Sequence, residues 1–247
     1  MVKWRSLAYE DATWELAQDV DPAKVKEFLK WQNPPKLTPV PRDSNYKIIR
    51  PDPSTWIPIE SDQVYKNSNK LRDYQLEGVN WLTYCWFHHR NCILADEMGL
   101  GKTVQSVTFL LELAKAGIHG PFLVIVPLST VTNWQREFEN WSDFNVVIYH
   151  GSSTSRNMIQ EYEIFYKRRP SDSAVRHDVY KFNALVTTFE VLMTDIEFFG
   201  KIHWAAAVID EAHRLKNKKC KLGEGLRYLD LVSSRTANDL CLAGSLC

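Results

Sequence analysis

The stretch Cys92-Ile-Leu-Ala-Asp-Glu-Met-Gly-Leu-Gly-Lys-Thr103 indicates the fold of this 247-residue chain. It begins inside an apolar segment, Asn91–Ala95, that predicts a short buried strand. Its last residues open a segment with apolar side chains at helical spacing, which predicts a helix over Lys102–Ala114. A buried strand joined by a glycine-containing loop to a helix is typical of a parallel α/β sheet.

The loop between this strand and this helix has the composition of a phosphate-binding loop. Gly99 and Gly101 let the backbone curl so that amide hydrogens face phosphate oxygens, and the helix N-terminus adds a partial positive charge. Lys102 can reach the β- and γ-phosphates of a nucleotide, and Thr103 would hold a magnesium ion. The general pattern has glycine where this chain has Asp96, so a helix that happens to begin Gly-Lys-Thr is the alternative.

A second chemical signal follows the wholly apolar strand predicted at Ala205–Ile209, which ends in Asp210 and Glu211. Ligands of open α/β sheets bind at the carboxyl ends of the strands. Asp210 is therefore a candidate for binding magnesium, directly or through water, and Glu211 for orienting and deprotonating an attacking water. The alternative is the start of a loop whose charges are simply solvated.

From Leu71 onward, apolar segments alternate with amphipathic ones, the pattern of a parallel sheet covered by helices. The predicted strands are Asn91–Ala95, Phe122–Val126, Val146–Tyr149, Ala184–Thr187 and Ala205–Ile209. The predicted helices are Leu71–Trp86, Lys102–Ala114, Thr130–Trp141, Arg156–Arg168 and Glu190–Phe199. This is a nucleotide-binding type of α/β architecture, with a polar surface insertion at 168–177.

Composition limits the classes of protein to which the chain can belong. Hydrophobic residues make up 45% and charged residues 24%, as in ordinary globular proteins. Lys+Arg and Asp+Glu are 30 each, so contacts with nucleic acid must come from local patches. The longest apolar run, Phe122–Leu128, is too short to span a bilayer, and we expect an intracellular soluble protein without membrane contact. The five cysteines form no Cys-x-x-Cys pair, which argues against a zinc site.

The region before Leu71 differs in character from the α/β region. Val2–Trp4 is strand-like, and Asp21 can cap a helix that has Pro22 at its first position and runs to Trp31. The proline-rich stretch 33–58 predicts an extended linker.

Several blocks of the sequence resemble the first ATPase lobe of Snf2-type chromatin remodelers in helicase superfamily 2. These blocks are Leu71-Arg-Asp-Tyr-Gln75, Ile93–Thr103, Pro127–Trp134 and Asp210-Glu-Ala-His-Arg-Leu-Lys-Asn217. Asp96 in place of glycine is what that family itself shows. Other blocks are similar to the chromodomain-helicase-DNA-binding proteins, most closely the Kismet-like branch: Val2–Ser6, Thr13–Glu15, Gly117–Pro121 and Tyr149–Gly151. The resemblance covers about residues 1–232 and implies a RecA-like P-loop lobe.

The resemblance implies ATP and Mg²⁺ as cofactors, and it assigns a role to each matching residue. Gln75 would recognise adenine, and Thr103 and Asp210 would hold the magnesium ion. Lys102 and Glu211 would be the catalytic residues. The nucleotide would lie against Gln75, Asp96, Glu97, Met98, Gly99, Leu100, Gly101, Lys102 and Thr103.

The resemblance also implies DNA and nucleosomes with their histones as partners, and the nucleus as the location. ATP hydrolysis would drive DNA translocation and nucleosome remodelling. Pro127–Trp134 and Thr187–Glu190 would lie along the DNA backbone, although turn and helix-cap chemistry is the alternative for their hydroxyls. The basic run Arg214–Lys221 could contact DNA or an acidic nucleosome surface, or it could be a solvated face.

The expected domains are a partial chromodomain at 1–31, a linker at 32–70, the ATP-binding lobe at 71–232 and a divergent tail at 233–247. The tail does not match the family's continuation toward a second ATPase lobe, so an apolar sheet edge could be exposed. The alternative function is therefore an ATP- and DNA-binding fragment with little or no turnover.

The partial chromodomain is not expected to read histone methylation. Trp4 matches one position of the family's aromatic cage, but Leu7 stands where a second aromatic residue is expected. Trp14 is expected to pack in the core instead.

Overall fold

The computed structural model describes residues 1–4, 7–32, 49–167, 175–211, 229 and 240–243, with the backbone alone given at 167, 175–178 and 240–243. The strands are β1 (Cys92–Leu94), β2 (Phe122–Ile125), β3 (Val146–Tyr149), β4 (Phe165–Lys167), β5 (Val175–Tyr180), β6 (Ala184–Thr187), β7 (Ala206–Asp210) and β8 (Leu240–Ala243). Six of them form one parallel sheet in the order β1-β8-β7-β2-β6-β3, and β4 pairs with β5 in an antiparallel hairpin.

The helices are α1 (Pro22–Lys30), α2 (Asp73–Phe87), α3 (Lys102–Lys115), α4 (Val131–Trp141), α5 (Ser153–Ile159), α6 (Phe189–Thr194) and α7 (Ile196–Phe199). Helices α2 to α7 contribute buried residues to the hydrophobic cores on the two faces of the sheet, whereas α1 has no buried residue. The predicted α/β class with a parallel sheet flanked by helices is confirmed. In the described part of the chain, no helix is both long enough and apolar enough to cross a bilayer.

Successive residues of the central strands β2 and β7 pack into opposite cores, because side chains alternate across a sheet. On β2, Phe122 and Val124 join the cluster formed with α2, α3 and α4, here called the α3-side core. Leu123 and Ile125 join the cluster formed with α5, α6 and α7, here called the α5-side core. All four side chains are at most 2% exposed, so β2 is the buried centre of a three-layer structure.

Strand β8 comes from the segment that we expected to form a divergent tail. Cys241 pairs with Cys92 of β1 on one side and with Val208 of β7 on the other. The inner edge of β7 is therefore paired, and the exposed apolar edge that we expected on this side of the sheet is not found.

The predicted helix Arg156–Arg168 is wrong from Phe165 onward. Helix α5 ends at Ile159, one wide helical turn follows, and the chain enters β4 at Phe165. The Phe165 ring lies 5.7 Å from that of Tyr180 on β5. Aromatic residues favour strands because they pack against cross-strand neighbours, and here that packing outweighs the helical spacing.

The predicted helix Glu190–Phe199 is interrupted at Asp195, which separates α6 from α7. The Asp195 carboxylate accepts hydrogen bonds from the Tyr149 hydroxyl at 2.6 Å and from Arg156 Nε at 2.7 Å. Asp195 therefore links the α6–α7 bend to β3 and α5.

The N-terminal segment packs on the sheet face that carries α5. Tyr9 lies against the α5-side core, where burial and a hydrogen bond to Glu163 raise its pKa well above the usual range. The Glu10 backbone N–H donates to Ser155 Oγ at 3.4 Å, and Ser152 Oγ donates to the Glu10 carboxylate. These contacts attach residues 9–10 to α5 and the turn after it.

Two expectations for this segment have opposite outcomes. Asp21 caps α1 as predicted, since its side chain accepts from Ala23 N at 2.8 Å. The expectation that Trp14 packs in the core is wrong, because its side chain is 85% exposed. Thr13 pairs with Val2 in an antiparallel bridge. Because side chains alternate along extended backbone, the Trp14 side chain points away from that of Thr13, into solvent.

Replacing Leu123 by alanine tests the buried centre of the sheet. The variant removes methyl groups from a fully buried site and is expected to lower the free energy of unfolding by about 2–5 kcal/mol. Leu128→Ala, at a side chain that is 60% exposed, is the matched control and is expected to change it by less than about 0.5 kcal/mol. Urea unfolding followed by circular dichroism measures both, and equal losses would contradict this assignment of the core.

Candidate active site

The loop between β1 and α3 has the left-handed backbone that its glycines allow. Gly99 and Gly101 have φ values of 87° and 81°. A Cβ atom at Gly101 would lie 2.5 Å from Gln75 Nε2, so a side chain at position 101 would displace the Gln75 amide as well as strain the backbone. No side chain caps the start of α3, which leaves the amide groups of its first turn available to an anion.

Lys102, the first residue of α3, folds back over this loop. Its Nζ donates to the carbonyl oxygens of Asp96 at 2.7 Å and Glu97 at 3.0 Å. The ammonium group is thus held inside the loop by neutral acceptors. Thr103 follows in the first turn and is half-buried.

The carboxylate of Asp96, which stands where the general phosphate-loop pattern has glycine, is hydrogen-bonded to a side chain of α3. Its Oδ2 accepts from Gln105 Nε2 at 2.9 Å, and Gln105 is completely buried. A Cβ atom on Gly78 of α2 would lie 2.0 Å from Gln105 Oε1, so the amide fits only because Gly78 has no side chain. We did not predict a role for Gln105 from the sequence. Its signal there was an amide side chain about one helical turn after Lys102.

Gln75 near the start of α2 touches the same loop. Its Nε2 donates to the Leu100 carbonyl at 3.1 Å, and its Oε1 accepts from Arg72 N at 3.0 Å. The side chains of Glu97 and Met98, by contrast, are exposed, Met98 by 82%.

Asp210 ends β7, on the sheet edge where β1 leads into the loop. Its Oδ1 accepts from Glu211 N at 3.0 Å, and its Oδ2 accepts from Trp134 Nε1 of α4 at 3.0 Å. Burial and the charge of Glu211 raise the Asp210 pKa, and the hydrogen bond from Trp134 and the charge of Lys102 oppose the shift. Because β1, β8 and β7 are neighbouring parallel strands, Asp210 and the loop that holds Lys102 lie at the same carboxyl edge of the sheet.

Glu211 has a left-handed backbone, with φ at 53°. This conformation is uncommon for a residue with a side chain and is often found at functional turns. It turns the chain immediately after the buried strand, at the carboxyl edge of the sheet.

The donors at this edge fit a magnesium ion bound together with a nucleotide. Among the described residues, no three His, Cys, Asp or Glu side chains are grouped closely enough to hold a metal ion. Mg²⁺ is usually held by one or two carboxylates, with phosphate oxygens and water completing its octahedron. Asp210 with Thr103 is such a set, and the space around Gly99, where a Cβ atom would meet nothing within 4 Å, leaves the loop open to phosphates.

Residues 74–245 match the SNF2-related domain, and residues 1–31 match the Chromo (chromatin organisation modifier) domain. The chain belongs to the SNF2-related domain family. It is 54% identical over 231 residues to Chromodomain-helicase-DNA-binding protein 6 of Rattus norvegicus, covering 94% of this chain and 8% of that protein. It is 55% identical over 232 residues to Chromodomain-helicase-DNA-binding protein 7 of Gallus gallus, covering 94% of this chain and 7% of that protein.

A solved structure, the Sulfolobus solfataricus SWI2/SNF2 ATPase core in complex with dsDNA, is similar with a TM-score of 0.58 and 25% sequence identity. The similarity covers 76% of this chain and 34% of that one. The resemblance to chromodomain-helicase-DNA-binding remodelers is confirmed, and this SNF2-related chain spans about 8% of the length of its curated relatives.

Most of the hydroxyls expected along DNA have structural partners in this SNF2-related lobe. Thr187 is buried and donates to the Tyr149 carbonyl at 2.9 Å, and the buried Thr188 caps α6. Thr130 Oγ1 donates to the Pro127 carbonyl at 2.9 Å. Turn and cap chemistry accounts for the hydroxyls of Thr130 and Thr188, a bond to the neighbouring strand accounts for that of Thr187, and Ser129 is exposed. The basic run 214–221 lies outside the described residues.

Replacing Gln105 by alanine tests the bond that holds Asp96. The variant removes a buried donor to a carboxylate and is expected to cost about 1–3 kcal/mol of unfolding free energy. Gln135→Ala on α4 is the matched control, because its Nε2 donates to an exposed Glu139 at 3.1 Å, and it is expected to cost less than about 0.5 kcal/mol. Urea unfolding separates the two, and equal effects would show that the Asp96–Gln105 bond contributes little.

Proposed function

We propose that this chain is the ATP-binding motor lobe of an ATP-dependent chromatin remodeler that acts on DNA and nucleosomes in the nucleus. The observation that carries the proposal is that the phosphate loop and the Asp210 carboxylate meet at one edge of the sheet, where the charge of Lys102 acts on Asp210. Its membership of the SNF2-related family and its identity with chromodomain-helicase-DNA-binding proteins support the reaction and the partners.

Lys102 and the start of α3 bind the phosphates in this proposal. On nucleotide binding, Lys102 Nζ exchanges the carbonyls of Asp96 and Glu97 for β- and γ-phosphate oxygens. The exchange is favourable because the phosphate oxygens carry negative charge and attract the ammonium group more strongly than neutral carbonyls do. The amide groups of the first turn of α3 point at the same phosphates.

Gln75 reads the adenine edge. A glutamine amide has two N–H donors and an oxygen with two lone pairs, and one of each is used by Leu100 and Arg72. The remaining donor and acceptor match the N7 acceptor and the N6 donor of adenine.

Thr103 and Asp210 would hold Mg²⁺, which when bound would supply positive charge against the phosphoryl oxygens. Glu211 orients the attacking water and accepts its proton. Because Asp210 is already hydrogen-bonded through both oxygens, its carboxylate is fixed before the nucleotide arrives.

A second proposal is that these residues bind ATP and DNA with little turnover on their own. Related NTPases add an arginine that stabilises the transferred phosphoryl group, worth about 10³–10⁵ in rate. In the described part of this site, the cation that acts on Asp210 is Lys102. The rate of ATP hydrolysis with and without double-stranded DNA distinguishes the two proposals.

Lys102→Ala is expected to weaken binding of a fluorescent ATP analogue by about tenfold to a hundredfold, the value of a charge-assisted hydrogen bond. Lys115→Ala is the matched control, since Lys115 ends the same helix in an ion pair with Glu112. Fluorescence anisotropy titration gives both affinities. Equal affinities for the two variants would contradict the phosphate-binding role of the loop.

Glu211→Gln keeps the size of the side chain but removes the proton acceptor. We expect DNA-stimulated ATP hydrolysis to fall by about 10²–10⁴, the usual contribution of a general base, while ATP affinity stays at the wild-type value. Phosphate release and anisotropy measure the two quantities. A variant that hydrolyses ATP at the wild-type rate would exclude Glu211 as the base.

A further inference from the structure

Trp134 is the single side-chain donor that the described structure gives to the Asp210 carboxylate. It lies in the first turn of α4, is 1% exposed, and directs its Nε1–H to Asp210 Oδ2 at 3.0 Å. The two residues are 76 positions apart and meet because α4 follows β2, which pairs with β7.

An indole suits this position chemically. Its N–H can only donate, so it neither takes a proton from the carboxyl group nor competes with Asp210 for a metal ion. The ring packs in the α3-side core, 6.2 Å from the ring of Phe138, so it cannot follow a movement of the carboxylate. With Glu211 N on Oδ1, the donor on Oδ2 determines the plane in which the carboxylate lies.

A merely structural tryptophan in the same lobe provides a comparison. Trp204 is 7% exposed and its Nε1 donates to the Phe199 carbonyl at 3.0 Å, within the α5-side core. Both indoles are buried and both are hydrogen-bonded. They differ in that Trp134 binds a candidate metal ligand and Trp204 a backbone carbonyl.

We propose that Trp134 is a positioning residue that holds the Asp210 carboxylate in the orientation required by Mg²⁺. The proposal rests on the proposed function, because it assumes that Asp210 binds the magnesium ion of a nucleotide. Residues that orient a metal ligand from behind typically change metal affinity by about 10–100-fold when replaced. Removing the indole N–H is therefore expected to affect the metal rather than the nucleotide.

The experiment measures how Mg²⁺ tightens binding of a fluorescent, non-hydrolysable ATP analogue to the full 247-residue chain. Trp134→Phe is expected to need about tenfold more Mg²⁺ for half of the tightening, with unchanged affinity in EDTA. Trp204→Phe is expected to keep the wild-type midpoint, and Asp210→Asn is expected to abolish the tightening. Because Trp134→Phe also leaves a gap in the core, β-(3-benzothienyl)alanine at position 134 is the second variant, in which sulfur replaces the N–H without loss of ring size.

Each outcome decides the proposal. A raised Mg²⁺ midpoint in both variants at position 134, but not in Trp204→Phe, supports it. A wild-type midpoint in the benzothienyl variant, or an equal shift in Trp204→Phe, overturns the inference and leaves the proposed function intact. If Mg²⁺ does not tighten nucleotide binding in the wild-type chain, the proposed function and this inference are both overturned.

Discussion

The parallel pairing of the central strands is the constraint on which the candidate site depends. In a parallel sheet all carboxyl ends lie at one edge, so the loop after β1, the start of α4 after β2 and the residue that ends β7 must meet there. The register that places Ile125 beside Ile209 puts Asp210 at this edge. Trp134 contacts Asp210 from α4, the helix that follows the neighbouring strand β2. Without this alignment, Lys102 and Asp210 would be two unrelated charged residues.

Two carboxylates near this edge, those of Asp96 and Asp210, are each hydrogen-bonded to a buried side chain of another element. An unpaired buried polar group costs about 1–3 kcal/mol, so such pairs fix one arrangement against others. Gln105 with Asp96 fixes the start of the phosphate loop, and Trp134 with Asp210 fixes the end of β7. The site is thus positioned by Gln105 and Trp134, which are not among the residues that we predicted to bind the nucleotide or the metal ion.

Features that depend on residues close together in the chain could be predicted from the sequence, whereas features that depend on long-range contacts could not. Strand and helix positions followed from periodicity, and Asp21 was found as a cap because its partner is two residues away. The helix expected through Phe165 was wrong, because cross-strand packing decided that segment. Gln105 and Trp134 were missed as supporting residues because burial and long-range contacts, rather than spacing, define them. The strand at Leu240–Ala243 lay in a segment that we expected to be a divergent tail; it is fixed by its neighbours in the sheet and lies within the residues that match the SNF2-related domain.

The measurement that tests the central claim most directly is a crystal structure of the chain with Mg²⁺ and a non-hydrolysable ATP analogue. The account predicts that Lys102 Nζ leaves the carbonyls of Asp96 and Glu97 for the β- and γ-phosphates, and that the Asp96–Gln105 bond persists. It also predicts the metal ion beside Asp210. A nucleotide bound elsewhere on the chain, with Lys102 still on the loop carbonyls, would contradict it.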